Sequence, residues 1–156
     1  MSEKILSQIE ASAPRRVFGI ATLLTMGALL IYLGLTLPAD LLGRVFLLAV
    51  GGVALWASDG MRRATNSVVE LREDGIYDGD GTLIAALSNI KSLDRGVFAF
   101  KPSTGFILRL ADPMPRVWRP GLWWRYGRRV GVGGVTAAHQ AKAMAEIISA
   151  LIHKED

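Results

Sequence analysis

Cysteine is absent from the chain, which removes disulfides, thiolate nucleophiles and cysteine-held metals together. Histidine is nearly so: the two that occur, His139 and His153, stand nearly four turns apart if their segment is helical. They cannot meet on one ion or one substrate. No Ser/His/Asp set, paired-carboxylate signature or cofactor motif stands out. No catalytic residue, metal or cofactor is therefore assigned, and an enzyme is not expected. Charge is missing locally as well. Val17 to Leu37 holds no charged residue over 21 positions, enough for a helix to span about 30 Å of hydrocarbon.

What is present is apolar and basic. Of 156 residues 51% are hydrophobic, the mean hydropathy is +0.32 and the pI is near 9.8. A formal charge of +4 points to an anionic partner, either nucleic acid or an anionic lipid surface. A second apolar run, Leu41 to Ser58, is interrupted only by Arg44. Pro38 stops the first helix, and Asp40 is placed to cap the second by accepting a backbone N–H. Three residues cannot hold a domain, so the helices return antiparallel. A signal peptide is disfavoured because the first run is long and a second follows at once.

Arg15 and Arg16 precede the first helix and Arg62 and Arg63 follow the second, which puts both termini in the cytoplasm by the positive-inside rule. Arg44 sits one turn inside the second helix, where it can snorkel to headgroups or pair with Asp40. These five arginines are read as membrane-interface anchors. Gly27, Gly34, Gly51 and Gly52 form no G-x-x-x-G pair and are assigned to close packing within the hairpin. The expected divisions are a cytoplasmic segment 1–16, transmembrane helices 17–37 and 41–58, and a cytoplasmic domain 65–153.

From Thr65 the texture changes to short apolar runs between Gly, Asp, Pro and Asn. Strands are expected at Ser67 to Arg72, Ile76 to Asp78, Thr82 to Leu87, Ile90 to Asp94, Val97 to Lys101, Phe106 to Leu110, Arg116 to Trp118 and Arg129 to Val132. Such short runs indicate an antiparallel sheet curling into a sandwich or partial barrel. Ala141, Met144, Ala145, Ile148, Leu151 and Ile152 then recur at three and four residues, one face of an amphipathic helix over Ala137 to Ile152. Thr136 is its expected N-cap. The fold class is α+β: a transmembrane hairpin followed by a small antiparallel β-barrel or sandwich closed by a C-terminal helix.

The opening Val68-Val69-Glu70-Leu71-x-Glu-Asp-Gly-Ile-Tyr hairpin, the Leu87-Ser88-Asn89-Ile90 entry into a middle strand and the terminal helix resemble bacterial pleckstrin-homology-like (PH-like) domains. Those proteins carry such a domain after one or two transmembrane helices. The resemblance covers roughly residues 65 to 153 and implies a membrane-tethered binding module.

The stretch Pro115 to Arg129 concentrates Arg116, Arg119, Arg125, Arg128 and Arg129 among Trp118, Trp123, Trp124 and Tyr126, with no acid between them. Trp and Tyr settle at headgroup level, and each Arg adds about 1 kcal/mol against an anionic leaflet. The same residues dominate protein hot spots. Read as a long loop, the stretch either folds back on the membrane face, docks on a protein, or packs on its own barrel. Nucleic acid is disfavoured as a partner, since no recognisable module accompanies the membrane segments.

The acid-rich run from Glu70 to Gly81 lacks the spacing of a calcium loop and is better explained by Asp-Gly turns. Gly131-Val-Gly-Gly has no following Lys-Ser or Lys-Thr, so a phosphate loop is set aside.

The function expected from these features is a membrane-anchored interaction protein, an accessory subunit or assembly factor of a larger complex in the bacterial inner membrane. It would dock through its helices and the Arg/Trp stretch, with the bilayer and another membrane protein as partners. The alternative is a lipid-binding, membrane-sensing module that uses the same stretch on anionic phospholipid. An enzyme of unknown type is the outsider.

Overall fold

The structure, a computed structural model, describes residues 4–94 and 105–154. Its two long helices, α1 (Ala13–Thr36) and α2 (Leu41–Ala64), form an antiparallel pair. Each runs 24 residues, about 36 Å at 1.5 Å per residue. Pro14 opens α1 where its missing N–H costs nothing. Asp40 caps α2, its carboxylate accepting from the Gly43 N–H at 3.3 Å. That carboxylate serves the cap, and Arg44 stays exposed.

Both helices are long and apolar enough to cross a membrane, and little of either span is buried by protein. Phe18, Leu29, Leu35, Leu42, Phe46 and Val53 all face outward. A helix in the core of a soluble protein hides such residues. The helices meet where they carry no side chain: a Cβ on Gly27 would lie 3.0 Å from the Gly51 carbonyl, and one on Gly51 would lie 3.0 Å from that of Gly27. Ser58 donates to the Ile20 carbonyl across the same seam. A Cβ on Gly52 would meet nothing within 4 Å, so this glycine plays no part in the contact.

The remaining chain forms two antiparallel sheets that do not close into a barrel. The first has the order β1 (Ser7–Ile9), β2 (Val69–Leu71), β3 (Gly75–Asp78), β4 (Leu83–Ala86). A 3-10 turn, Leu87–Asn89, leads to the second: β5 (Ile90–Asp94), β6 (Phe106–Arg119), β7 (Trp123–Val132). Helix α3 (Ala138–Ile152) lies against β1, β5 and β6. Ala141, Met144, Ala145 and Ile148 enter the core with Ile9, Val69, Leu71, Ile76, Ile84, Phe106, Leu108 and Val130. The predicted helical stripe is thus the face that joins the two sheets.

Four features depart from the sequence-based expectations. The segment before the first helix joins the sheet: Ser7–Ile9 pairs with Val69–Leu71 and buries Ile9 completely. A three-residue strand carries too little periodicity to be recognised, and its partner stands some sixty residues later. The stretch Pro115 to Arg129 is a two-stranded hairpin rather than a loop. Pro113 and Pro115 sit where the register shifts between Arg109, Met114 and Val117, a position that tolerates proline. Thr136 does not cap α3. Ala137 holds that position with no side-chain cap, and Thr136 is buried in a bridge to Ala11. Helix α2 continues six residues past Ser58. The strand expected at Val97 to Lys101 lies outside the described residues.

Candidate functional site: an arginine and tryptophan hairpin at the foot of the helices

Strand pleating sorts the hairpin's side chains into two sets. Val117 lies opposite Arg125, Trp118 opposite Trp124 and Arg119 opposite Trp123. Successive residues point to opposite faces, so Arg119, Trp123 and Arg125 share the inner face. Arg116, Trp118, Trp124 and Tyr126 share the other.

The inner set is structural. Trp123 is 1% exposed, and its indole N–H donates to Asp78 Oδ2 at 2.8 Å. Asp78 is equally buried. It also accepts from the Ser67 hydroxyl and lies 3.6 Å from the Arg119 guanidinium. Arg119 reaches Asp80 as well, at 2.7 Å. One carboxylate on β3 therefore pins both strands of the hairpin to the first sheet.

Arg125 is 5% exposed and has no carboxylate partner among the described residues. It donates instead to the carbonyls of Pro115 (2.7 Å), Leu83 (2.8 Å) and Ile84 (2.9 Å). Burial lowers its pKa from the ordinary arginine value, yet three oriented carbonyl dipoles give the cation the hydrogen bonds it lost to water. Neither Trp123 nor Arg125 is available to a partner surface.

The outer set faces away from the core. Trp118 is 54% and Tyr126 64% exposed, and the Arg116 guanidinium stands 5.4 Å from the Tyr126 ring. Trp124 is half-buried because its indole lies over Gly131, in the space a Cβ there would need. Trp118 packs on Trp56 of α2, ring centres 5.9 Å apart. Trp56 in turn lies one turn before Asp59, the first charged residue after the apolar part of α2. The exposed ring of Trp118 is thereby set level with the end of the apolar helical span.

The hairpin tip is fixed there by backbone contacts. Gly121, at φ +84, brings its carbonyl to the Val135 N–H at 3.0 Å, and the Leu122 carbonyl accepts from Gly133. Any Cβ on Gly121 would press on Thr65 and Met61 of the α2 terminus. The same linker accepts from the Ser12 N–H at 2.6 Å, immediately before α1.

Comparison with protein families, curated proteins and solved structures finds no match. The functional reading therefore rests on the geometry.

Around the tip, Arg62 and Arg63 both reach Asp59, at 3.1 and 2.7 Å, and Arg16 donates to the Asn66 side chain at 2.6 Å. Arg15 is exposed beside them, whereas Arg44 stands at the opposite end of the pair. Arg128 and Arg129 are exposed further along β7. Of the nine residues singled out from the sequence, Arg116, Trp118 and Tyr126 face outward, Trp118 against α2, and Arg119, Trp123 and Arg125 do not.

Sequence reasoning placed Asp78 at the end of a strand and missed its central role. The signal was an acid two residues after Ile76 in a strand, hence on the buried face.

Proposed function

We propose that this protein is a membrane-anchored, PH-like binding module whose β6–β7 hairpin rests on the anionic leaflet at the foot of its own transmembrane hairpin. The observation that carries this reading is the Trp118–Trp56 pair, which sets an exposed tryptophan level with the end of the apolar span. Aromatic rings of this kind concentrate at the membrane–water boundary. Arg63 lines the groove beside the pair and Arg116 stands two positions before Trp118 on the same strand face; each cation at such a surface contributes about 1 kcal/mol against anionic lipid.

Arg15, Arg16, Arg62 and Arg63 gather at this end, and a single Arg44 beside Asp40 marks the other. By the positive-inside rule, the domain and both termini lie in the cytoplasm, against what we take to be a bacterial inner membrane.

Because the chain lacks cysteine, Tyr126→Cys gives one clean site for a nitroxide in the full chain reconstituted in nanodiscs. With anionic lipid present, the label is expected to be shielded from a water-soluble relaxation agent and open to oxygen. A label equally open to the aqueous agent in neutral and anionic discs refutes the reading.

A second reading, an accessory subunit docking on a larger membrane complex, draws support from Gly52. It opens a close-approach site on the free side of α2. Purification in mild detergent tests it: a stoichiometric companion favours docking, and a lone monomer or homo-oligomer counts against it.

A further inference from the structure

On the second sheet, away from the Trp118–Trp56 contact, Lys91, Ser92, Arg109, Leu110, Arg128 and Arg129 line a groove of about 400 Å³. Its four cations come from three strands. Ser92 pairs with Arg109 and Arg109 with Arg129, so these three stand in one row across β5, β6 and β7. Leu93, Leu108 and Val130, one position along, form the row beneath, turned to the core.

Two irregularities enlarge the row. The register shifts between Ile90 and Ser92, which leaves Lys91 exposed together with Ser92. On β7 the left-handed Gly127, φ +57, precedes Arg128 and Arg129, and both are exposed in succession. A bulge re-aims a side chain in this way and is common beside binding sites.

Arg109 and Arg129 lie directly opposite each other, an arrangement that destabilises a sheet. No carboxylate among the described residues lines the groove. Among them none of the four cations makes an ion pair or a side-chain hydrogen bond, although Arg62, Arg63, Arg72 and Arg119 all have acidic partners. Planar guanidinium forks and an ammonium, with a hydroxyl between them, match phosphate oxygens.

We infer that this groove binds a ligand carrying two or more phosphates, its charge neutralised by Lys91, Arg109, Arg128 and Arg129 and an oxygen held by the Ser92 hydroxyl. The phosphates come either from a free polyphosphate or from a lipid headgroup that carries two of them. Fewer than two would leave most of the charge unmet. The groove shares no residue with the Trp118–Trp56 contact, so the two proposals fail independently.

The test titrates inorganic tripolyphosphate onto the full chain in phosphatidylcholine nanodiscs, followed by calorimetry and by thermal unfolding. Binding and a raised unfolding temperature are expected. The double variant Arg109→Gln/Arg129→Gln should weaken binding roughly tenfold or more, since two charge-assisted contacts are lost. Its ligand-free form should unfold at the same or a higher temperature, because the opposed charges are gone. This second readout separates lost binding from a misfolded protein. Arg62→Gln/Arg63→Gln should bind as wild type does.

Repeating the titration in discs containing cardiolipin, whose headgroup carries two phosphates, identifies the source. An undiminished response points to the free anion, and a response abolished by the lipid points to the headgroup. Absence of binding in neutral discs overturns the proposal, as does binding that survives the double variant.

Discussion

Asp78 is the residue on which the hairpin depends. It is a buried carboxylate that accepts from Ser67 and Trp123 and faces Arg119. Removing it strands the buried Trp123 indole N–H, while Arg119 keeps Asp80, and a buried donor left without its partner costs about 1–3 kcal/mol. Asp78→Ala is therefore expected to lose that much in chemical unfolding of the detergent-solubilised chain. Trp118→Ala, on the exposed face, should cost about 1 kcal/mol at most. Equal losses for the two would contradict the division into inner and outer sets. Asp80 adds a pH dependence. Hydrogen bonds from Thr82, and then the charge of Arg119, hold its carboxyl below the ordinary aspartate range. With the folded value below the unfolded one, its contribution is complete above roughly pH 4 and is lost as pH falls through the folded value. Asp80→Asn should flatten the acid limb of stability against pH, and two parallel curves would disprove the coupling.

At the scale of elements, the helical hairpin is closed by glycines rather than by interlocking large side chains. Gly27 and Gly51 face one another at backbone distance, Gly34 lies against Leu47 and Leu48, and Gly52 faces open space. Gly27→Leu forces the helices apart, an overpacking that costs about 1–3 kcal/mol. The expected result is earlier unfolding in a detergent titration. Gly52→Leu should leave this midpoint unchanged or raise it slightly, because a better helix former replaces glycine without a clash. A Gly52 variant as unstable as the Gly27 variant would mean that the seam runs elsewhere. The β6–β7 hairpin shows the complementary principle. Its alternation divides one basic aromatic sequence between an interior bolt and an exterior face, a division no composition argument anticipates.

For the whole molecule, the connectivity matters most. The two long helices are inserted between β1 and β2, neighbouring strands of one sheet. The domain therefore hangs from the helices by two chain connections, near Ser12 and Thr65, and the linker from Gly133 to Thr136 is bonded to both the N-terminal segment and the hairpin tip. A fragment beginning at Thr65 lacks β1 and leaves bare the core surface that Ile9 covers. It is expected to be aggregation-prone, with weak protection of β2 amides from hydrogen exchange. Fusing residues 4–11 to that fragment by a short flexible linker in place of the helices should restore protection. Full protection in the fragment alone would show β1 to be dispensable.

The sequence by itself determined the features that depend on composition and local period. Two uncharged or nearly uncharged runs separated by Pro38 and Asp40 dictate an apolar helical pair, and the three-and-four spacing from Ala141 to Ile148 marks the face of α3 that reaches the core. Most short strands were legible for the same reason: alternation and Asp-Gly turns act within a few residues. Tertiary structure alone decided what lies between distant positions. Ser7–Ile9 becomes a strand only because Val69–Leu71 offers it an edge, and Asp78 matters only because Trp123 and Arg119 arrive from another sheet. The Arg and Trp cluster was legible as a cluster, but its division was not. Which of its members face outward depends on strand register, set by two proline-bearing irregularities and by the contact of Trp118 with Trp56. Register is a long-range agreement between strands, and no single segment encodes it.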